Sequence, residues 1–170
     1  MILVEVATLA LDARGEPVVI LRPVEAGEGT KLLPIWIGVQ EANAIMLSVE
    51  RLTAERPMSY DLMVRLLEMS GSSVSQVAVT RLEGGTFFAE ITLQTAEGVR
   101  VVDARPSDSI ALATRTGAPM YVAAAVLEEA GVAGIIEEGT GDAEPGEVAE
   151  EEIEEFSKFL DQVNPDDFRG

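Results

Sequence analysis

A short polar segment at residues 103–109, DARPSDS, holds the side chains best suited to chemistry. Two carboxylates, one guanidinium and two hydroxyls fall within this segment. Pro106 suits the first position of a helix, which puts Asp108 in the first turn, near the positive end of the helix dipole. Side chains alternate along a strand, so Asp103 and Arg105 share a face if the preceding strand reaches that far. Such a corner can bind a metal ion or a phosphate, and it can also simply cap a helix.

Two interpretations of these side chains remain open from the residues alone. Asp103 and Asp108 could hold a divalent cation that activates water for phosphodiester hydrolysis. Alternatively, Asp103 pairs with Arg105, and Asp108 complements the helix dipole. Arg105 could also clamp a phosphate through two hydrogen bonds. Ser107 and Ser109 could bind a phosphate at the helix start or cap the helix.

Two further acids, Glu41 and Asp61, fall in the first turns of predicted helices. They are weaker candidates, because favourable placement in the helix dipole explains them without any ligand. Tyr60 is interpreted as a half-buried structural residue, since the ordinary phenol pKa of about 10 is far from neutrality.

The chain contains neither histidine nor cysteine. Disulfides, thiolate chemistry, Ser-His-Asp catalysis and the usual nitrogen and sulfur zinc sites are therefore excluded. A metal would be held by carboxylates, carbonyls and water, which favours Mg²⁺, Mn²⁺ or Ca²⁺.

The formal net charge is −18 and is unevenly distributed. Residues 134–170 hold 13 acids and 2 bases, and residues 1–133 hold 17 acids and 10 bases. This balance disfavours tight, passive binding of a polyanion. The N-terminus is typical of a strand rather than a signal peptide, and no apolar run approaches the ~20 residues needed to span a bilayer. We therefore expect a soluble, cytoplasmic protein without membrane contact.

Hydrophobic periodicity and turn residues predict alternating groups of strands and helices. The predicted strands are 1–11, 17–21, 31–38, 74–82, 86–95, 99–104 and 120–122, and the predicted helices are 40–53, 60–70, 106–116 and 125–130. In the second helix Leu62, Met63, Leu66 and Leu67 are expected to face inward. Residues 36–42 and 103–109 both predict a strand, a corner and a helix, so a duplicated unit would place Glu41 and Asp108 in equivalent positions.

The composition changes after residue 133, which predicts a body at 1–133, a flexible acidic linker at 134–149 and a short amphipathic tail helix at 150–170. In the tail, apolar residues recur at three- and four-residue steps: Ile153, Phe156, Phe159, Leu160 and Val163. This tail helix could dock on the body, pair with a neighbouring chain or bind a partner.

Over residues 1–131 the chain resembles the bifunctional nuclease domain family. The resemblance is carried, in order, by LPIWIG at 33–38, Glu41-Ala42, Arg56-Pro57 with Asp61-Leu62, GGTFFA at 84–89 and DARPSD at 103–108. It implies an α+β fold with a mixed, largely antiparallel sheet, packed helices and a duplicated β-α-β-β-like unit. It also implies a homodimer or larger homo-oligomer, and metal-stimulated cleavage of DNA and RNA.

Carried over to this chain, the resemblance implies acidic site residues at Asp61, Asp103 and Asp108, with Glu41 and Arg105 beside them. One departure concerns Ser59-Tyr60-Asp61, which stands where the family usually has Thr-His-Asp.

The leading hypothesis is a divalent-metal-dependent nuclease with Mg²⁺ or Mn²⁺ held by Asp61, Asp103, Asp108 and Glu41. Asp103, Arg105 and Asp108 would be catalytic, and Arg105, Ser107 and Ser109 would contact the nucleic acid. The rival hypothesis is a non-catalytic oligomeric or regulatory module whose acidic tail binds a partner.

Overall fold

A computed structural model describes residues 1–25, 27, 29–52 and 54–133 of the chain. The predicted linker at 134–149 and tail at 150–170 lie outside these described residues. Eight strands and four helices make up the described part. In chain order they are β1 (Ile2–Leu11), β2 (Pro17–Pro23), β3 (Lys31–Trp36), α1 (Val39–Val49), α2 (Ser59–Met69), β4 (Ser73–Glu83), β5 (Thr86–Thr95), β6 (Gly98–Ala104), α3 (Pro106–Thr116), β7 (Met120–Val122), α4 (Ala124–Ala130) and β8 (Val132–Ala133).

The strands form one mixed sheet in the order β6-β5-β4-β7-β1-β2-β3-β8. Only the β4–β7 pair is parallel among the described strands, and the other neighbours are antiparallel. The predicted α+β class with a largely antiparallel sheet and packed helices is therefore confirmed. Two three-stranded meanders, β1-β2-β3 and β4-β5-β6, are each followed directly by a helix.

One large core lies between the helices and one face of the sheet. Side chains from every helix contribute to it, together with alternate strand residues such as Val19 and Leu21 in β2. The intervening residues Val18 and Ile20 belong to a smaller cluster on the other face, and all four are almost completely buried. Strands with two buried faces are continuous apolar runs, which matches the VVIL sequence of β2.

The end of α1 differs from its prediction. The helix stops at Val49, four positions before the predicted Thr53, which itself lies outside the described residues. Arg51 then adopts a left-handed conformation with φ 53°. The Leu52 N–H donates to the Leu47 carbonyl at 2.8 Å and the Arg51 N–H to the Ser48 carbonyl at 3.2 Å. These are the two hydrogen bonds of a Schellman motif, in which glycine is the usual left-handed residue.

The predicted orientation of α2 is wrong at three of four positions. Leu62, Met63 and Leu66 are exposed, and only Leu67 is half-buried. The side of the helix that meets the body instead carries Tyr60, which is 8% exposed. The periodicity correctly predicted an amphipathic helix, but several apolar side chains of α2 have no partner within the described part of the chain.

Candidate functional site

The two strand-to-helix corners lie side by side because α1 and α3 pack against each other. Arg105 precedes α3 with extended backbone (φ −71°, ψ 147°), and Pro106 occupies the first helical position. Gly38 precedes α1 with nearly the same backbone angles (φ −72°, ψ 156°). Glu41 and Asp108 are each the third residue of their helix. The sequence therefore builds two equivalent helix N-termini, each with an acid in its first turn.

Arg105 joins these two acids. Its Nε donates to Asp108 Oδ2 at 2.8 Å, and its Nη2 donates to Asp108 Oδ1 at 3.0 Å. The same Nη2 donates to Glu41 Oε1 at 2.8 Å. No described residue accepts a hydrogen bond from Nη1, and the Arg105 side chain is 66% exposed. Hydrogen bonds to Asp108 and Glu41 raise the pKa of Arg105, so the guanidinium is always charged.

Tyr60 completes what we call the corner cluster: Glu41, Tyr60, Arg105 and Asp108. The Tyr60 hydroxyl donates to Asp108 Oδ1 at 2.6 Å. Burial and this hydrogen bond raise the pKa of Tyr60, so the phenol remains a proton donor. Burial alone would raise the pKa of Asp108, but the hydrogen bonds from Arg105 and Tyr60 outweigh it and hold that pKa below its usual value. Asp108 is therefore a carboxylate at neutral pH.

Asp61 belongs to a different contact. Its Oδ2 accepts the Met58 N–H at 2.8 Å, and its Oδ1 accepts Arg115 Nε at 2.7 Å. The hydrogen bond from the Met58 N–H, and after it that from Arg115, lowers the pKa of Asp61. Arg115 also donates to the Ala111 carbonyl at 3.0 Å, and its guanidinium carbon lies 5.4 Å from the Tyr60 ring centroid. Asp61 thus accepts a backbone N–H at the start of α2 and links that helix to α3.

Within the described part of the chain, the remaining sequence candidates make no hydrogen bond to the side chains of the corner cluster. Asp103 is exposed on β6, opposite Glu90 of β5, and its side chain makes no hydrogen bond or ion pair with another described residue. Ser107 is 6% exposed and Ser109 is 1% exposed. The Ser109 hydroxyl donates to the Arg105 carbonyl at 3.1 Å, which ties the first turn of α3 together.

The carboxylates as arranged do not fit a Mg²⁺ or Mn²⁺ site. Within residues 1–25, 27, 29–52 and 54–133, no three acidic side chains come together as a metal-binding group. The Nη2 of Arg105 also stands between the Glu41 and Asp108 oxygens, where a shared cation would have to lie. Metal binding here would require that guanidinium to move.

The corner cluster is close to electrically balanced once the helices are included. Two carboxylates and one guanidinium give it a formal charge of −1, and the N-termini of α1 and α3 add roughly half a positive charge each. Neither N-terminus has a side-chain cap hydrogen bond. Backbone N–H groups and the outer face of Arg105 are therefore the donors that this corner can offer to an anion such as a phosphate.

Sequence reasoning did not assign Tyr60 or Arg115 to this region. The sequence favours a structural role for Tyr60. The signal that could have assigned it to the site is its position, because Tyr60 stands where the family resemblance places a histidine. No signal pointed to Arg115, because its partner Asp61 is 54 positions away in the chain.

No helix within the described part of the chain is long and apolar enough to cross a membrane.

Comparison with known proteins adds a family match and two relatives. Residues 19–134 match the model of a family described as the bifunctional nuclease domain. Two proteins of Mycobacterium tuberculosis, described as uncharacterized proteins MT1877 (strain CDC 1551 / Oshkosh) and Rv1829 (strain ATCC 25618 / H37Rv), are similar over most of their length. Each is 40% identical over 157 residues, which cover 92% of this chain and 91% of the relative.

Proposed function

The chain belongs to the bifunctional nuclease domain family, and on that basis we propose that it hydrolyses phosphodiester bonds of DNA or RNA at the corner cluster. The observation that carries the proposal is the convergence of Glu41 and Asp108 on Arg105. These residues come from two separate motif blocks and meet at two adjacent helix N-termini.

The roles of the side chains follow from their contacts. Arg105 is held by two carboxylates, its side chain is 66% exposed and no described residue accepts from its Nη1, so Nη1 can donate to a non-bridging oxygen of the substrate phosphate. Preorganised donors of this kind stabilise charge that develops in the transition state. Asp108 orients the guanidinium, and its lowered pKa makes it a poor proton acceptor. Tyr60, which keeps its proton, orients Asp108 in turn.

Dependence on Mg²⁺ or Mn²⁺ is a separate part of the proposal, because Arg105 stands where the cation would bind. Cleavage of single-stranded DNA and RNA should therefore be measured both with Mn²⁺ and with a chelator. Activity that needs Mn²⁺, together with Mn²⁺ binding by the folded protein, would support a metal site formed after Arg105 moves.

The decisive comparison is between wild type, Arg105→Gln and Asp108→Asn. We expect both substitutions to lower kcat/KM by at least about 100-fold, the typical loss on removing a preorganised donor. Glu90→Gln is the matched control, because it removes a carboxylate from β5 without touching the corner. Equal residual cleavage in all four proteins would indicate a contaminating nuclease and contradict the proposal. Asp103→Asn tests whether this more distant acid contributes as well.

A non-catalytic interaction module is the second candidate, favoured by a specific observation. Arg105 and Arg115 neutralise three of the four candidate metal ligands, and α2 presents exposed leucine and methionine side chains. This candidate predicts a homodimer or larger oligomer by light scattering and no cleavage that depends on Arg105. The oligomer alone does not separate the two functions, so the Arg105→Gln assay decides between them.

A further inference from the structure

A groove of about 660 Å³ runs between the end of α1 and the adjoining side of α2. Its apolar lining comes from Leu47, Leu52, Ala54, Pro57, Met58 and Val64. Leu52 is 59% exposed and Met58 is 37% exposed. The groove is thus open and of mixed character, with charged side chains beside the apolar ones, and its lining includes the Asp61–Arg115 pair but no residue of the corner cluster.

An exposed apolar stripe on α2 adjoins this groove. Leu62, Leu66 and Met69 are 52%, 56% and 85% exposed, and their spacing of four and three residues places them on one face of the helix. No other described element covers them. Large apolar side chains exposed together on one face of a helix are typical of an interaction site.

Three arginines lie at the groove: Arg51 and Arg65 line it, and Arg56 lies between the lining residues Glu55 and Pro57. The charge of Arg65 also helps to lower the pKa of the Asp61 carboxyl. The guanidinium groups of Arg51, Arg56 and Arg65 make no hydrogen bond or ion pair with another described residue, and all three residues are exposed. Residues 50–68 together with Arg115 hold four acids and four bases. The rest of residues 1–133 holds 13 acids and 6 bases. The surroundings of the groove are therefore neutral on a body that is otherwise strongly acidic.

Arg51 occupies its position in spite of backbone strain. Its φ of 53° is a conformation that costs an L residue energy and that glycine adopts freely. A glycine would satisfy the same two backbone hydrogen bonds of the Schellman motif. The cation at the edge of the groove can thus be removed by a substitution that relieves strain instead of creating it.

We propose that the groove and the α2 stripe bind the acidic amphipathic segment of this same chain, residues 150–163. Five apolar side chains of that segment recur at helical spacing, which suits a helix lying in an apolar groove. Six of its residues are acids and one is a lysine. Arg51, Arg56 and Arg65 offer this acidic segment positive charge beside apolar side chains, on a body that is otherwise strongly acidic, so charge and apolar pattern favour the same surface.

The chain is long enough for this contact. Nineteen residues separate Ala133, the last described residue, from Ile153. They can span up to about 65 Å when extended, several times the radius of gyration of about 14 Å expected for a 133-residue body. The proposal does not rest on nuclease activity, because it concerns a different surface.

Engineered cysteines provide the test, since the full chain has none of its own. Leu52→Cys lies in the groove, and Phe159→Cys lies in the segment. The control pairs Phe159→Cys with Val99→Cys, which is 60% exposed on the edge strand β6. Under mild oxidation we expect the groove pair to form an intramolecular disulfide at least tenfold faster than the control pair. Arg51→Gly should slow that disulfide severalfold while leaving the thermal midpoint unchanged or raised.

Three outcomes would overturn the proposal. Equal rates in both pairs would mean that the segment has no preference for the groove. A disulfide between Leu52→Cys residues of two chains, or between the two engineered sites on different chains, would assign the groove to a second copy. The third outcome combines two results. If fluorescein-labelled single-stranded DNA binds the full-length protein only when Arg51 and Arg65 are present, and the groove pair forms no intramolecular disulfide, the groove is a nucleic-acid site.

Hydrogen exchange on full-length protein without engineered cysteines gives an independent measurement. We expect amides of α2 to exchange several times faster in an Arg51→Gln, Arg65→Gln protein than in wild type. High salt should remove most of that difference, because it screens the charge contribution. Identical exchange in both proteins at low salt would contradict docking even if a cysteine variant failed to fold.

Discussion

At the scale of single residues, the corner cluster depends on one oxygen that accepts two hydrogen bonds. Asp108 Oδ1 receives the Tyr60 hydroxyl at 2.6 Å and Arg105 Nη2 at 3.0 Å. Both donors favour the ionised carboxylate, which is why its pKa is lowered in spite of burial. Tyr60 is itself buried, so its hydroxyl would lose its partner if Asp108 were replaced.

We expect Tyr60→Phe to reduce the free energy of unfolding by about 1.5–3 kcal/mol at pH 7, the usual contribution of a hydrogen bond to a charged group. A lowered carboxyl pKa contributes stability above the ordinary value of about 4, and this contribution is lost as pH falls through the folded-state pKa. The difference between wild type and Tyr60→Phe should therefore shrink below about pH 4. Urea unfolding at pH 7 and pH 3 measures it.

The second tyrosine of the chain supplies the control for this measurement. Tyr121→Phe in β7 makes the same chemical change away from Asp108, and we expect it to alter stability by less than about 0.5 kcal/mol. A Tyr60→Phe effect that is equally small, or equally large at both pH values, would mean that the phenol does not stabilise the Asp108 carboxylate.

At the scale of elements, two arginines of similar chemistry have different positions. The Arg115 side chain is 10% exposed and joins α3 to Asp61 of α2, whereas Arg105 is 66% exposed and joins α3 to Glu41 of α1. Breaking a buried pair leaves an uncompensated charge, while an exposed pair contributes little to stability. The first pair therefore holds α2 on the body, and the second positions a guanidinium at the surface.

Arg115→Gln is expected to cost about 2–3 kcal/mol of unfolding free energy, below the full penalty for a buried pair because Asp61 is 36% exposed. Arg105→Gln should cost about 1 kcal/mol or less. Urea unfolding at pH 7 measures both costs. Adding Asp61→Asn and the Asp61→Asn, Arg115→Gln double variant completes a double-mutant cycle, which isolates the contribution of the Asp61–Arg115 pair to the free energy of unfolding. Similar costs for the two arginines would refute this division of roles.

The sequence predicted most elements because their signals are local. Thr86–Thr95, Pro106–Thr116 and Met120–Val122 have the predicted bounds, since turn glycines and Pro106 mark their ends. The bond between Tyr60 and Asp108 and that between Asp61 and Arg115 were missed, because each joins residues about 50 positions apart. The outward face of α2 was missed for another reason: periodicity identifies an apolar face but not what covers it.

At the scale of the whole molecule, the net charge of the protein determines whether it attracts or repels a nucleic acid at long range. The chain carries −18 overall, and even residues 1–133 hold seven more acids than bases. Most nucleases that act on polyanions approach them with a basic surface, so raising the salt concentration weakens their encounter. For this chain the long-range electrostatic force has the opposite sign, because the acidic protein and a nucleic acid repel each other and salt screens the repulsion.

If the protein cleaves single-stranded DNA, kcat/KM should therefore rise severalfold between about 20 and 150 mM NaCl at a fixed Mn²⁺ concentration, as the Debye length falls from about 20 Å to about 8 Å. A variant in which the six acids of residues 150–163 are replaced by their amides carries a charge of −12 and should show a weaker rise. Initial rates at substrate concentrations below KM measure this dependence. A rate that falls with salt, as for a basic enzyme, would contradict cleavage by this acidic chain, because the sign of the dependence follows from the charge of the protein that performs the reaction.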